Sequence, residues 1–337
     1  MSPADQPLTT LPQMSLQPGQ LDGRTGFTAI GVKGETVLVP SIQIDGRTLL
    51  TTGSWLKTAS VQDEDLLEDE TVANPESFLK ELQATPLKAD LFTFAQRLPD
   101  SAARYNYHVD WDNFAVIPIT TYADWWEKRI EPSVRRAVRK AAKSGIVVKS
   151  VAFDDEFVRG IVNINNETPV RQGKPFWHFQ KSFEAVKAEH STYADRNAFL
   201  GAYYEDELAG YIRITYAGRS AHIIQILSKV QHFDKRPMNA LLAKAVELCA
   251  EMKMSHLVYC NYVYNDPNSS LTEFKKRSGF EKVLVPRYYI PLTTKGKIAL
   301  GFGLHRGLTH AMPEALVARA VRLRNRWYER KLPKDSV

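Results

Sequence analysis

The sequence has little cysteine and no long apolar run. Its 337 residues include only two cysteines, Cys249 and Cys260, and both lie in apolar-periodic segments. They predict small buried side chains in a reducing compartment rather than a disulfide framework. No segment is long and apolar enough to span a membrane, and Met1 to Gln20 lacks the charged start and apolar stretch of a secretion signal. We therefore expect a cytoplasmic protein in which residues 1–20 form a disordered tail.

Low-complexity blocks, short-period repeats and a metal-ligand pattern are also missing. His222, His232 and His256 are scattered over predicted strands and a loop, so we expect no metal site. The apolar content of 44% and charged content of 24% are typical of a globular protein with a full core. The length is sufficient for two domains.

The net charge of +6 is unevenly distributed. Ser133 to Ser150 has six Lys or Arg residues and no acid, and Pro313 to Val337 has seven against three acids. The segment "DEDLLEDE", Asp63 to Glu70, is predicted to be a solvated acidic loop. A basic stripe on a mildly acidic body favours a polyanionic partner, although basic helix faces also occur simply as solvated surface.

Apolar periodicity predicts helices and strands in an α+β order with one mixed sheet. The predicted N-terminal elements are a hairpin at Asp45–Gly46, a helix at Pro75 to Gln83, strands at Asp90 to Gln96 and Asn113 to Ile119, and a helical region from Tyr122 to Lys143 interrupted at Pro132. The predicted C-terminal elements are a strand at Ile146 to Phe153, helices at Asp154 to Asn166 and Gln180 to Ala188, two strands between Asn197 and Lys229, a helix from Pro237, a strand at His256 to Tyr264, a helix at Ser269 to Arg277 and a strand pair around "EKVLVPRYYIPL".

The helix that follows "HFDKRP" begins with an unusual charge arrangement. Lys235 and Arg236 precede Pro237, which suits the first helical position because its missing N–H has no intrahelical partner. Two cations would oppose the positive end of the helix dipole unless an anion lies there. An ordinary capped, solvated loop is the alternative. The amides predicted to be free for such an anion are those of Met238, Asn239 and Ala240.

Three segments in the second half together resemble the GNAT acyltransferase fold. "AFLGAYYEDELAGYIRI" is similar to the second and third strands, and "AHIIQILSKVQHFDKRPMNALLAKAVELC" to the fourth strand, the phosphate loop and its helix. "NSSLTEFKKRSGFEKV" is similar to the closing element, with Asn268, Phe274 and Gly279–Phe280 at the matching places. The resemblance implies an α+β fold with a mixed central sheet flanked by helices. The order of the three segments is more specific than any one of them.

Two departures from that family resemble its FemABX-like branch. The phosphate loop has no glycine, and Lys275 stands where many GNAT enzymes have a tyrosine. Proteins of this branch consist of two fused GNAT-like units and have a Phe–Lys pair, which Phe274–Lys275 resembles. The basic segment "PSVRRAVRKAAKSGIVV" is similar to the start of the second unit in that branch. The resemblance implies a tail at 1–20, a degenerate N-terminal unit at 21–125, a basic linking helix at 126–145, a catalytic unit at 146–312 and a basic C-terminal helix and tail at 313–337.

The chemistry implied by this resemblance is acyl transfer to an amine. The donor would be acyl-CoA or aminoacyl-tRNA, and no metal is implied. Lys275 would stabilise the developing oxyanion, whereas the plainer interpretation makes it one of three surface cations in "KKR". The residues that would bind the donor are Lys235, Arg236, Met238, Asn239, Ala240, Asn268 and Phe274.

The loop "ETPVRQGKPFWH", Glu167 to His178, combines turn residues, a cation and aromatic side chains. In GNAT-like proteins the corresponding loop lines the acceptor side. We expect Arg171, His178, Trp177 and the more distant Tyr216 to bind the acceptor. Glu167 or His178 would act as a general base if one is needed. Phe176, Trp177 and Phe179 alternatively fill the core beneath a helix, and we favour the core for Phe176.

Three functions remain open from the sequence. The first is an acyltransferase acting on an amino sugar, an amino acid or a cell-envelope precursor. The second is a nucleic-acid or membrane-surface binding protein that has lost activity. The third is an assembly partner of a polysaccharide system that uses the basic C-terminal helix. That helix, Pro313 to Leu332, would dock an apolar face on the body and expose Arg319, Arg322, Arg326 and Arg330, which suits tRNA, anionic lipid or solvent alone.

Overall fold

The structure is a computed structural model that describes residues 25–32, 35–171, 174–264 and 266–307. The predicted tail at 1–20 and the predicted C-terminal helix lie outside the described residues. The N-terminal half contains strands β1 (Thr25–Val32), β2 (Glu35–Ile44), β3 (Arg47–Thr52) and β4 (Thr58–Val61), helix α1 (Pro75–Gln83), and strands β5 (Leu91–Ala95) and β6 (His108–Pro118).

The C-terminal half follows without a break in the chain. Its elements are α2 (Tyr122–Asp124), α3 (Pro132–Lys143), β7 (Val147–Val151), α4 (Asp155–Asn165), β8 (Val170–Arg171), β9 (Lys174–Pro175), α5 (Phe183–His190), β10 (Asn197–Tyr204), β11 (Glu207–Ala217), β12 (Ser220–Ser228), α6 (Pro237–Glu251), β13 (His256–Asn261), α7 (Ser270–Arg277), β14 (Glu281–Pro291) and α8 (Thr294–Gly301).

Side-chain caps explain where several helices begin. Asn74 accepts from the amide of Ser77 and precedes Pro75 at the first position of α1. The same kind of cap begins α4, α5, α7 and α8, from Asp154, Ser182, Ser269 and Thr293. A short polar side chain just before each apolar-periodic run therefore fixes the start of these helices.

Within the described residues, twelve strands form one continuous sheet in the order β1-β2-β3-β4-β5-β14-β6-β13-β12-β11-β10-β7. Its two parallel pairs are β4 with β5 and β12 with β13, each joined by a crossover that contains a helix, α1 or α6. The two halves thus repeat one arrangement. They also exchange strands, because β14 pairs with β5 of the N-terminal half and β6 pairs with β13 of the C-terminal half.

Helices cover both faces of the C-terminal half of the sheet. Helices α3 and α6 pack on one face through apolar residues that include Val134, Leu241 and Val246. Helices α4 and α5 pack on the other face, around Ile161 and Val186. These layers hold the ends of β12 and β13 in fixed positions.

Two predicted element counts are wrong. The segment from Asn197 to Lys229 forms three strands rather than two, because Gly218 adopts a positive φ of 57° in a second tight turn. The final strand pair is a single strand, β14, that passes through Pro286. Pairing of β14 with β6 continues across Pro286, whereas pairing with β5 begins only at Arg287, so the proline does not break the strand.

Candidate functional site

Strands β12 and β13 pair over a short stretch and then separate. Ser220–His222 pairs with His256–Val258, after which β12 continues to Ser228 and β13 to Asn261. Near its end, β13 is irregular against β6, and Cys260 has a left-handed φ of 45°. The carboxyl ends of two parallel strands therefore open beside each other, each leading toward a helix, as in the crevices where α/β sheets bind ligands.

Lys275 is fully buried at this opening, with 0% of its surface exposed. Its Nζ donates a 2.5 Å hydrogen bond to the carbonyl of Asn261 and lies 4.3 and 5.0 Å from the ring centroids of Tyr259 and Tyr264. Burial lowers the pKa of Lys275 to about 8, against an opposing effect of Cys260. The surface-cation interpretation is therefore wrong for Lys275, although it does hold for its exposed neighbour Lys276.

The mouth of α6 differs from the predicted anion cradle. Arg236 caps the helix in a left-handed conformation with φ 61°, and its carbonyl accepts from the amides of Asn239 at 3.1 Å and Ala240 at 3.4 Å. These two amides are not free, so the prediction that they would bind an anion is corrected. Met238 lies beside them and is half-buried. Side chains rather than amides must therefore supply most of any anion binding here.

The two cations at this mouth have different surroundings. Lys235 lies 4.7 Å from the ring centroid of Tyr204 and 3.6 Å from a carboxylate oxygen of Asp234. Arg236 is exposed and forms no ion pair with any described residue. Arg236 is thus the cation available to an incoming anion.

Asn268 and Phe274 flank Lys275 along the chain. Asn268 is exposed, and its amide donates to the Asp266 carboxylate at 2.8 Å. Phe274 is half-buried and packs against the core beneath α6. Asn268 can reach a ligand, whereas Phe274 fixes the position of α7.

Glu167 and Arg171 hold the predicted acceptor loop in place. The Glu167 carboxylate accepts from the amides of Val230 at 2.6 Å and Gln231 at 2.9 Å and lies 3.4 Å from Arg171. Arg171 also donates to the carbonyls of Ser228 and Ile164, both at 2.9 Å. Because the Glu167 carboxylate is committed to internal contacts, the structure does not support Glu167 as a base. Arg171 anchors the loop through its Nη1 and Nη2 atoms, and its Nε has no partner among the described residues.

His178 is buried and neutral. Burial, aided by repulsion from Lys181, lowers the pKa of His178 to about 2. Its Nε2 lies 3.2 Å from the amide nitrogen of Gln225, which leaves the proton on Nδ1, and Nδ1 has no partner among the described residues. The ring can therefore donate a hydrogen bond from Nδ1, but with Nε2 occupied it is not the predicted base.

Trp177 and Tyr216, the other predicted acceptor residues, differ in exposure. Trp177 is 38% exposed and stacks on His178 with ring centroids 3.5 Å apart. Burial raises the pKa of Tyr216 to about 12, and its hydroxyl has no partner among the described residues. Phe176 is half-buried 4.5 Å beneath the Arg171 guanidinium, so it packs against the loop.

No sequence pattern indicated that the acidic loop reaches this region. Glu64 pairs with Arg287 of β14 and accepts from the amide of Ala95, so this part of the loop is fixed rather than freely solvated. Asp65 lines a cleft on the sheet between the two halves. Other lining residues of this cleft are Gln96, Arg97, Phe114, Ser220 and His222. The charge run predicted a loop but could not show what it contacts.

One group of side chains has the composition of a metal site. Ligand atoms of His108, Asp110 and His305 lie within 4.8 Å of one another. Arg306, however, donates to both oxygens of Asp110. A cation would have to displace this guanidinium, so the group fits an anchor for the turn Leu304–Arg306 better than a metal centre.

Solved structures share this architecture. FemX matches with a TM-score of 0.52 and 13% identity, over 79% of this chain and 89% of that chain. L-PGS from Bacillus licheniformis matches with a TM-score of 0.53 and 13% identity, over 82% of this chain and 88% of that chain. The C-terminal domain of a protein described as a lysylphosphatidylglycerol synthetase from Agrobacterium fabrum gives a TM-score of 0.52 at 9% identity. That match covers 77% of this chain and 86% of that chain.

The chain has a FemX-like fold. Neither a family model nor a curated protein sequence matches it. The FemX-like fold confirms the α+β class and, at the level of the fold, the predicted resemblance to the FemABX-like branch. The predicted domain bounds stay a prediction, since β6 and β14 each pair with the opposite half.

Within the described ranges, no helix of the FemX-like fold combines the length and apolarity that crossing a bilayer requires.

Proposed function

We propose that this protein is an acyltransferase that forms an amide on an amine acceptor. The observation that carries the proposal is the buried ammonium of Lys275 at the point where β12 and β13 separate. No carboxylate of the described residues pairs with it. Burying an unpaired charge is unfavourable, and such a placement is typical of a group that meets negative charge during a reaction.

Lys275 would act on the oxyanion of the tetrahedral intermediate. The acceptor nitrogen attacks the donor carbonyl, a C–N bond forms, and the C–S or C–O bond to the donor breaks. The ammonium of Lys275, already desolvated and oriented by Asn261, stabilises the oxygen as its charge develops. Loss of one such donor typically lowers turnover by about 100-fold or more.

Acyl-CoA is the donor we favour. Arg236 is an exposed cation at the mouth of α6, with Lys235 beside it and Asn268 exposed ahead of α7. A small phosphate-bearing donor needs only these contacts. The proposal places the protein in the cytoplasm, where acyl-CoA is made.

The acceptor we propose is an amino sugar, an amino acid or a cell-envelope precursor of a polysaccharide system. Trp177 offers an exposed ring, and the Nδ1 of His178 and the hydroxyl of Tyr216 are polar atoms without partners among the described residues. Buried polar atoms of this kind normally bond to protein, water or ligand. Trp177 and His178 are therefore our candidates for acceptor contacts, whereas Tyr216 pairs with Ala221 in the part of the sheet where β12 and β13 are still joined, away from the opening.

An aminoacyl-tRNA donor is the second candidate, and the surface of α3 favours it. Arg136, Arg139, Lys140 and Lys143 are all exposed on this helix, which packs beside α6. A row of exposed cations suits a phosphate backbone better than it suits a small donor. Contact of the predicted C-terminal helix with tRNA or with a membrane surface belongs to this alternative.

Donor binding decides between the two candidates. CoA and bulk tRNA are titrated separately against the full chain at two salt concentrations, and the protein purified from its host is examined by native mass spectrometry. We expect CoA to bind with a weak salt dependence and to be unaffected by truncation after Gly307. tRNA binding with a steep salt slope that truncation reduces would select the second candidate. Binding of neither would contradict the proposed function.

A further inference from the structure

We propose that the cleft beside Asp65 is the pocket for the acceptor's amino group and that the Asp65 carboxylate takes its proton. This inference rests on the proposed function and specifies which group enters the cleft. It assigns a role to the N-terminal half, which contributes the turn Glu64–Leu66.

The turn is held firmly around Asp65. Asp63 accepts a hydrogen bond from the hydroxyl of Tyr193, Glu64 pairs with Arg287, and the carbonyl of Leu66 accepts from Arg196 at 3.0 Å. These contacts come from different parts of the chain. Asp65 lies between them and makes no hydrogen bond or ion pair with any other described residue. A fixed turn therefore presents one carboxylate with unused acceptor capacity to the cleft.

The charges that face the cleft favour a cation. Arg97 donates to the carbonyl of Asp69 at 3.2 Å. Burial lowers the pKa of Arg97, whereas the carboxylates of Glu70, Asp69 and Glu68 each raise it, so these three acids offset its charge. Burial lowers the pKa of His222 to about 4, so this ring is neutral at pH 7. Glu64 is balanced by Arg287, which also pairs with Asp112. Asp65 is thus the unbalanced charge, and an ammonium complements it.

The cleft also lies beside the lysine site. Its lining residue His222 is the last residue of β12 that pairs with β13, directly before the strands separate. Burial is the main reason that the pKa of Cys260 is raised, but Lys275 lowers it and Asp65 raises it. The geometry gives the closer link, because the lining residue Phe114 pairs with Asn261, whose carbonyl accepts from Lys275. An amine held by Asp65 would enter from one half of the protein toward a carbonyl held by Lys275 in the other.

The protonation behaviour of Asp65 suits this role. Asp65 is exposed at the cleft, so water still reaches it from one side. Desolvation by the protein around it and then repulsion from Glu64 raise the pKa of Asp65 to about 7, with Asp112 and Asp63 adding to the increase and Arg287 opposing it. Near neutral pH the carboxylate can accept a proton and release it again. In the step, the acceptor ammonium gives one proton to Asp65, and its nitrogen then forms the C–N bond as the C–S bond breaks. The second nitrogen proton accompanies the departing thiolate as CoA thiol, and Asp65 returns its proton to water.

The binding test compares matched amines and alcohols as probes: glucosamine with glucose, and cadaverine with 1,5-pentanediol. Their binding is measured by ligand-observed NMR at pH 8 on the full chain, on Asp65→Asn and on Glu68→Gln. Glu68 is exposed in the same loop, and its 3.6 Å ion pair with Arg196 is solvated, so it serves as the control for loss of a loop carboxylate. We expect wild type and Glu68→Gln to prefer the amines by about tenfold or more, as for one charged contact, and Asp65→Asn to lose the preference. Equal preference in Asp65→Asn, or no preference in wild type, overturns the proposal.

Kinetic measurements distinguish failure of this proposal from failure of the proposed function. With acetyl-CoA and an amine that is acylated, kcat/KM of the wild type should fall as the pH drops through about 7. The kcat/KM of Asp65→Asn should be low at every pH and should not show this acidic limb of the pH profile. An unchanged limb in Asp65→Asn overturns the base role alone. If the wild type binds neither CoA nor tRNA, the proposed function is contradicted. The amine preference measured by NMR still tests the pocket in that case, because it does not depend on the donor. Unchanged urea midpoints verify that Asp65→Asn is folded.

Discussion

The ammonium of Lys275 donates a 2.5 Å hydrogen bond to the carbonyl of Asn261, the last residue of β13. The bond links α7 to the strand end from which the chain leaves the sheet. Among the residues that the structure describes, this carbonyl and two aromatic rings replace the water that the charge has lost. The ionised form is consequently disfavoured, which is why the pKa of Lys275 falls to about 8.

The first prediction concerns the stability cost of this charge. Replacing Lys275 with Met keeps the length of the side chain and removes the charge. We expect Lys275→Met to raise the free energy of unfolding at pH 7 by roughly 1–3 kcal/mol, measured by urea denaturation.

The pH dependence provides the check on that prediction. Between about 8 and 10.5 the unfolded chain retains a proton that the folded lysine has released, so wild-type stability should rise with pH through this window. Lys275→Met should lack the rise. A variant that is less stable than wild type at pH 7 would show that the ammonium stabilises the fold, contrary to the account.

The second prediction concerns the mouth of α6. Arg236→Ala removes the exposed cation that we assign to the donor phosphates, so CoA affinity should fall by about 1.5–3 kcal/mol, measured by calorimetry. Lys253→Ala, an exposed cation beyond the other end of α6, is the control and should leave affinity unchanged. If both substitutions have the same small effect, donor binding does not use this helix mouth.

The third prediction separates anchoring from catalysis at Glu167. Glu167→Gln retains an acceptor oxygen but loses one of the two that bind the amides of Val230 and Gln231. We expect a loss of about 1–2 kcal/mol in stability with turnover per folded molecule unchanged. Glu184→Gln, at an exposed position with no such role, should change neither. A large loss of turnover at unchanged stability would restore the general-base role to Glu167.

Local signals predicted much of the fold. The helix start at Ser269, the proline at position 237 and the turn at Asp45–Gly46 each depend on neighbouring residues, so the sequence shows them directly. The third strand between Asn197 and Lys229 was missed because Gly218 was not recognised as a second turn. The order of elements nevertheless sufficed to indicate the architecture.

Burial of charged residues could not be predicted in the same way. Lys275 lies in a run of three cations that is typical of a solvated helix face, and its burial depends on tertiary packing that includes Tyr259 and Tyr264. Asp65 reaches the cleft because Glu64 pairs with Arg287, which is 223 residues away along the chain. Glu167 similarly became a loop anchor through amides more than sixty positions away. Such contacts depend on tertiary structure, which no local pattern encodes.

The most direct test of the central claim compares turnover of Lys275→Met with that of Lys276→Met under saturating acetyl-CoA and an acylated amine. The two lysines are adjacent on α7, but one is buried at the opening between β12 and β13 and the other is exposed. The account predicts that kcat falls by about 100-fold or more in Lys275→Met, with folding intact, and that Lys276→Met matches wild type. Equal kcat in the two variants would contradict the assignment of Lys275 to the reaction.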